Sequence, residues 1–221
     1  MEFGKAFSFP FEDQDWIKKV GIAALVMLIP IVGGIAVAGW GFEVTRRVIR
    51  RDPQPLPDWS DFVTYLVNGL KVVVVGLAYA LPLILVSACS QGLLFAAQEG
   101  GDDTMMSVAT VVMICFSCLM ILYGIFIGLV MPAALGNFAA TDQLGAAFRF
   151  GEVFGLVRAA PGPYVLVLLG AILASIIAML GSIACGIGAL LTSAYAAAIN
   201  GHLQGQAYNE ASALRGAKAE F

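Results

Sequence analysis

Apolar residues occupy this chain in blocks far longer than a soluble helix requires. Val20 to Phe42, Val72 to Gln98, Thr104 to Thr141 and Ala159 to Gly201 hold no charged residue and are 23, 27, 38 and 43 residues long. A helix crossing a bilayer needs about 20 apolar residues. Backbone in hydrocarbon must also satisfy its own polar groups, so each block reads as helix. The last block has room for two helices with a turn near Gly181, Gly186 and Gly188. The expected helices are Lys71 to Ala97 with a kink at Pro82, Met105 to Met131, Tyr164 to Leu180 and Gly188 to Gly205.

The first block is interrupted by Ile29-Pro30-Ile31-Val32-Gly33-Gly34. A single span would leave Lys5, Lys18 and Lys19 outside, whereas a hairpin turning at Pro30 to Gly34 keeps every Lys and Arg inside. Trp16 to Ile29 makes about 21 Å of helix, short of a ~30 Å hydrocarbon core. The hairpin is therefore either re-entrant or crosses a locally thinned bilayer. The charge bias favours a hairpin over a single span.

Charge orients the remainder. The twelve Lys and Arg residues avoid Pro30 to Gly34, Gln98 to Thr104 and Gly181 to Ile187, and the second of these carries Glu99, Asp102 and Asp103. The positive-inside rule makes all three stretches outward turns and both termini cytoplasmic. The expected fold is an all-α polytopic membrane bundle forming one integral membrane domain over residues 1–221. Three helical hairpins are joined by two cytoplasmic amphipathic interfacial helices.

Those two connections carry helical periodicity. In the first, Asp58 is an N-cap candidate with Asp61 favouring the helix dipole. Trp59, Phe62, Val63, Leu66 and Leu70 follow at spacings of three and four. In the second, Thr141 is the N-cap candidate, Phe150, Val153, Phe154 and Val157 form the stripe, and Arg149 and Glu152 lie opposite. Both read as helices lying on the interface. Phe62, Val67, Gly69 and Leu70 recur 86 positions later as Phe148, Val153, Gly155 and Leu156. This is a weak internal repeat over about 35–97 and 105–180, of the parallel kind found in some transporters.

Composition agrees with a membrane class: 60% hydrophobic, 12% charged, mean hydropathy +0.88. A net charge of −3 and the lack of a basic-aromatic tract give no nucleic-acid partner. Lys18, Lys19 and the following apolar run to Ala36-Val37-Ala38 imitate a signal peptide, but the acidic, aromatic stretch before them does not. Phe3, Phe7, Phe9, Phe11 and Trp16 with the lysines suit the headgroup layer.

Candidate chemistry is sparse. The middles of the last four helices hold no Asp, Glu, Lys, Arg or His, where proton relays and ion paths place theirs. Ser87, Ser90, Gln91, Ser117, Tyr123, Thr192, Ser193, Tyr195 and Asn200 remain, as inter-helix hydrogen-bonding groups or as the lining of a path for a neutral solute. Gly124 with Gly128, and Gly201 with Gly205, form small-residue faces for close helix packing. Cys89, Cys115, Cys118 and Cys185 complete no metal set. His202, the single histidine, is either a helix-end residue or a haem or chlorin ligand. There is no nucleophile-base-orienter set and no phosphate loop, so neither enzyme activity nor a cofactor is expected. Lys18, Lys19, Arg46, Arg47, Arg50 and Arg51 are the candidate contacts to the membrane surface and anionic lipid, at about 1 kcal/mol per charge, and also anchor the topology.

Several motifs resemble a known family. Asp15-Trp16, Leu28-Ile29-Pro30, Gly39-Trp40, Arg46-Arg47, Leu56-Pro57-Asp58-Trp59, Gly69-Leu70-Lys71, Leu81-Pro82, Phe148-Arg149-Phe150, Tyr195 and Gly205-Gln206 are similar to an uncharacterised prokaryotic membrane family, domain of unknown function 4013. Gly39-Trp40 departs from the Gly-Tyr expected there. The resemblance implies a multi-pass protein of the prokaryotic cytoplasmic membrane and carries over no catalytic residue. The expected role is non-enzymatic: an accessory, scaffold or assembly subunit whose partners are the bilayer and other membrane subunits or its own copies. The alternative is a transporter or channel for a neutral or amphipathic solute.

Overall fold

In the computed structural model the described residues are 1–100, 103–184 and 186–219. They form eight α-helices with no strand: α1 Lys5–Glu12, α2 Trp16–Val26, α3 Val32–Ile49, α4 Phe62–Gly100, α5 Asp103–Thr141, α6 Phe150–Ala159, α7 Pro161–Leu180 and α8 Ile187–Ala219. Short 3-10 turns, Leu144–Phe148 and Gly181–Ala184, precede α6 and follow α7. Three helical stretches are long and apolar enough to cross a membrane: Phe62–Gly100, Thr104–Thr141 and Pro161–Ile183. Asp102 and Cys185, singled out in two of the charge-poor stretches, lie outside the described residues.

Several expected boundaries are corrected. The stripe from Asp58 to Leu70 is not a separate surface helix. It enters directly into the 39-residue α4, because no proline separates Phe62 from Leu81 and one lysine, Lys71, does not break a helix. The cap is Asp61, whose Oδ1 accepts the Thr64 N–H at 3.2 Å. Asp58 instead accepts from the Ser60 N–H and hydroxyl. The expected stripe is also turned outward: Val63 and Leu70 are exposed, and the buried face is Tyr65, Asn68 and Gly69. Thr141 closes α5 rather than opening the next helix, its hydroxyl donating to Asn137 O at 2.8 Å. The second connection does form a separate helix, α6, since Ala160 precedes Pro161 and leaves the helical region at φ −140°, ψ 66°. In α6 Val153 and Leu156 are buried while Phe150 faces out. The two repeat segments thus fold differently. The long Val20–Phe42 block breaks into α2 and α3 at Met27–Ile31.

The chain divides into two compact units, residues 1–75 with 129–221, and residues 76–128. The larger unit is organised around α8, which packs against α1, α2, α3, α6 and α7. That position accounts for its composition. A helix covered on most sides by protein rather than lipid needs no continuous apolar surface, and α8 is absent from the three apolar candidates. Its glycines set the approach to α3. A methyl group added at Gly205 would lie 2.6 Å from Val48 Cβ and 2.9 Å from Thr45 O, and one at Gly201 would collide with Gly41 O. Backbone meets backbone similarly between α3 and α4, where Gly39 faces Tyr65 O and Gly69 faces Ile35 O. The last turns of α5 are enclosed, residues 132–139 being buried without exception. Small residues there, Ala133, Ala134, Gly136 and Ala139, let neighbours close in on every side.

In the smaller unit α4 and α5 run antiparallel: the Tyr123 hydroxyl donates to Tyr79 O at 3.0 Å, and Ser87 reaches Met120 Sδ at 3.7 Å. Leu77, Leu81, Ile84 and Leu85 on α4, and Ile114, Leu119, Ile121 and Leu122 on α5, are exposed.

Candidate functional site: a polar cleft beside the amino-terminal helix

An open cleft of about 1220 Å³ lies in the larger unit. Its walls come from α1 and the start of α2, the 51–56 connection, and the 202–213 stretch of α8. Sequence explains how α1 reaches α8. Its aromatic residues supply an apolar underside, burying Ala6, Phe9 and Pro10, while polar groups tie down the backbone. The Tyr195 hydroxyl donates to Phe7 O at 2.5 Å, and Gln206 both accepts from Glu2 N–H at 2.7 Å and donates to Glu2 O at 3.3 Å. The Met1 amine pairs with Glu210 at 2.6 Å.

His202 forms part of the floor and is 5% exposed. Its ring stacks on Phe9 at 4.3 Å and 17°, and Nδ1 lies 3.0 Å from Gln206 Nε2. The phenyl ring therefore covers one face of the imidazole, an arrangement of a packed helix residue. The lining has no serine, threonine or cysteine, and no group of three metal-ligating side chains occurs among the described residues. Charges dominate instead: Glu12, Asp15, Asp52 and Arg51 stand on the rim, and Lys19 bonds Asp13 at 2.5 Å and Leu56 O at 3.0 Å.

The six basic candidates are separated by the fold. Lys18 is exposed and Arg51 is exposed on the cleft rim. Lys19 is held by Asp13. Arg46 pairs with Glu43 at 3.0 Å and with Asp142, and its guanidinium lies over the Phe42 ring at 5.3 Å. Arg47 pairs with Glu43 at 3.7 Å and Arg50 with Asp142 at 3.3 Å. Sequence reasoning missed these carboxylates. Glu43 is legible afterwards, since it stands three and four residues before Arg46 and Arg47 on one helix. Asp142, distant in sequence, gave no signal. It sits just past the end of α5 at φ 56°, a left-handed position that Asp tolerates better than most residues.

A second polar knot lies at the same carboxyl-terminal end of α5. Asn137 donates to Ala146 O and to Glu152, both at 3.0 Å, and Arg149 pairs with Glu152 at 3.5 Å. The Asn137 bond, aided by Arg149 and Arg215, holds the Glu152 carboxyl below its ordinary range.

Two of the motifs that carry the family resemblance, Gly39-Trp40 and Leu56-Pro57-Asp58-Trp59, meet in a third place. Trp40 Nε1 donates to Pro57 O at 2.9 Å, Trp59 Nε1 to Lys19 O at 2.9 Å, and the Tyr65 hydroxyl to Asp58 O at 2.6 Å. Trp40 and Trp59 stack at 5.8 Å and 14°. Leu56-Pro57-Asp58-Trp59 thus acts as a clasp joining α2, α3 and α4. Its work is architectural, because each polar atom named here is consumed by another part of the chain.

No curated protein and no solved structure matches this chain. The model of a family described as "Protein of unknown function (DUF4013)" matches residues 22–187. That stretch contains the α2–α3 turn, the tryptophan clasp and all three helices able to cross a membrane, and the chain belongs to the DUF4013 family.

Proposed function

We propose that this protein is a non-enzymatic integral membrane protein that holds or assembles other membrane components. The observation that carries the reading is the use of polar side chains in the apolar helices. Ser87 reaches Met120, Ser90 donates to Ser87 O, Ser117 to Met113 O, and Tyr123 to Tyr79 O. Thr192 donates to Gly188 O at 2.8 Å and Ala178 O at 3.2 Å. A path for a solute would need such groups free to exchange partners with it, whereas here they tie helices to themselves and to each other. The charged cleft beside α1 supplies a surface for a partner at the polar end of the larger unit. In this reading the membrane is the prokaryotic cytoplasmic one, with the basic end inside.

Purification in mild detergent followed by native mass spectrometry tests the proposal. Particles heavier than one 23.2 kDa chain, of fixed stoichiometry and lost on charge reversal at Asp15 and Asp52, are expected. A lone monomer in every detergent counts against it.

The second reading is a transporter or channel for a neutral or amphipathic solute. Two atoms favour it: Asn68 Nδ2 and Asn200 Oδ1 are buried without a hydrogen-bond partner. Groups of that kind are costly unless something binds them. Reconstituted vesicles that take up small neutral solutes faster than empty ones, with the gain lost in Asn68→Leu and Asn200→Leu, would establish this reading over the first.

A further inference from the structure

The turn between α2 and α3 has a composition and a geometry that water does not call for. Every residue from Met27 to Val32 is apolar, where turns exposed to water favour Gly, Asn, Asp and Ser. Met27 packs against the core, but Leu28, Ile29 and Ile31 point away from the protein and are 62%, 48% and 82% exposed. The reversal is a γ-turn centred on Ile31, at φ 66° and ψ −59°, closed by Val32 N–H donating to Pro30 O at 2.7 Å. This turn is rare and strained, more so on a β-branched residue.

The same turn is largely self-sufficient in hydrogen bonds. Leu28 N–H donates to Leu25 O, Ile29 N–H to Val26 O and Gly33 N–H to Ile29 O, at 3.1, 3.0 and 2.9 Å. Pro30 has no N–H to satisfy. Internal satisfaction of the backbone is the requirement that hydrocarbon imposes and water does not.

Length sets the depth. The nearest charges before and after Ile31 are Lys19 and Glu43, each twelve positions away. At 1.5 Å per residue, twelve residues reach about 18 Å, roughly half of a ~30 Å hydrocarbon core plus the interface. Two charged flanks at equal distance from an apolar tip describe a loop that enters and leaves by the same surface.

We propose that Met27–Val32 is a lipid-inserting tip that enters one leaflet and returns without crossing the bilayer, its occupant being acyl chain rather than a protein partner. This rests on the membrane reading above, and the test separates the two. The full chain, with its four native cysteines replaced by serine, receives a single cysteine at Leu28 or Ile31 on the tip. A third protein carries it at Leu173, an exposed position on α7. Each is labelled with an environment-sensitive fluorophore and reconstituted into phosphatidylcholine vesicles. Leu28→Cys accompanies Ile31→Cys because it leaves the central residue of the γ-turn unchanged.

The expected result is a blue-shifted tip label that loses emission to brominated acyl chains and resists aqueous iodide, as at Leu173. In intact cells Lys18→Cys and Gln54→Cys should react alike with an impermeant maleimide. Iodide quenching at the tip with lipid quenching at Leu173 overturns the insertion and leaves the membrane reading intact. So does a tip label that neither quencher reaches, which would mean protein covers it. Opposite maleimide reactivity of Lys18→Cys and Gln54→Cys shows a crossing and overturns re-entry. Iodide quenching at Leu173 as well overturns the membrane reading and this inference with it.

Discussion

Trp40 shows what a single side chain does in this fold. It is fully buried, and its indole N–H satisfies the Pro57 carbonyl across a connection that ordinary loop contacts would leave loose. Trp40→Phe keeps the stack on Trp59 and removes the donor. It is expected to cost ~1–3 kcal/mol, the penalty of leaving a buried carbonyl unpaired. Thermal unfolding in detergent, followed by circular dichroism, checks this. Asp58 provides a pH test in the same clasp. The Ser60 hydroxyl and N–H hold its carboxyl below the ordinary 3.8. A depressed carboxylate stabilises the fold above its unfolded value and loses that contribution as pH falls through its folded value. Wild-type protein should therefore lose stability below pH 3.8 more steeply than Asp58→Asn, which keeps an acceptor for Ser60 without the charge. Equal acid slopes would show that the Ser60 bonds do not select the ionised form. The tryptophans and Asp58 could be read as notable from sequence, but their partners could not. Pro57 O and Lys19 O are backbone atoms, and nothing in a side-chain pattern marks a carbonyl as the one to be used.

At the scale of elements, glycines distinguish packed faces from open ones. Gly201 and Gly205 stood out in the sequence together with Gly124 and Gly128, and spacing alone ranked the pairs equally. The structure separates them: Gly201 lies against Gly41 O, while a methyl group at Gly124 would meet nothing within 4 Å. Gly201→Ala is expected to destabilise by ~1–3 kcal/mol, the usual cost of overpacking. Gly124→Ala should be neutral or gain up to about 1 kcal/mol from helix propensity. Paired thermal midpoints in one detergent decide it. Helix lengths were the weaker part of the sequence reading for a related reason. Charge marks where a helix leaves the hydrocarbon, not where its hydrogen bonding stops. Lys71 therefore looked like a boundary, yet α4 continues through it from Phe62 to Gly100.

For the molecule as a whole, the charge distribution makes a testable statement about orientation. A cysteine at Lys5 should resist an impermeant thiol reagent in intact cells once native Cys185 labelling is controlled. Ready labelling would place the amino-terminal helix and its cleft outside. The sequence by itself determined the all-helical class and the charge-free blocks, and three of the four long helices it marked are apolar enough to cross a membrane, Gly188 to Gly205 not being among them, because bilayer thickness and backbone hydrogen bonding leave few alternatives for such long apolar runs. It also located the interruption at Pro30, though not how the chain turns there. Only the tertiary structure decided that Arg46 and Arg50 are answered by Asp142, that α8 is a central helix, and that α1 folds onto α8 to wall a polar cleft. Those outcomes depend on which residues far apart in the chain come within 4 Å of each other. Hydropathy and spacing record a residue's preference for lipid or water, and that preference does not name its neighbour.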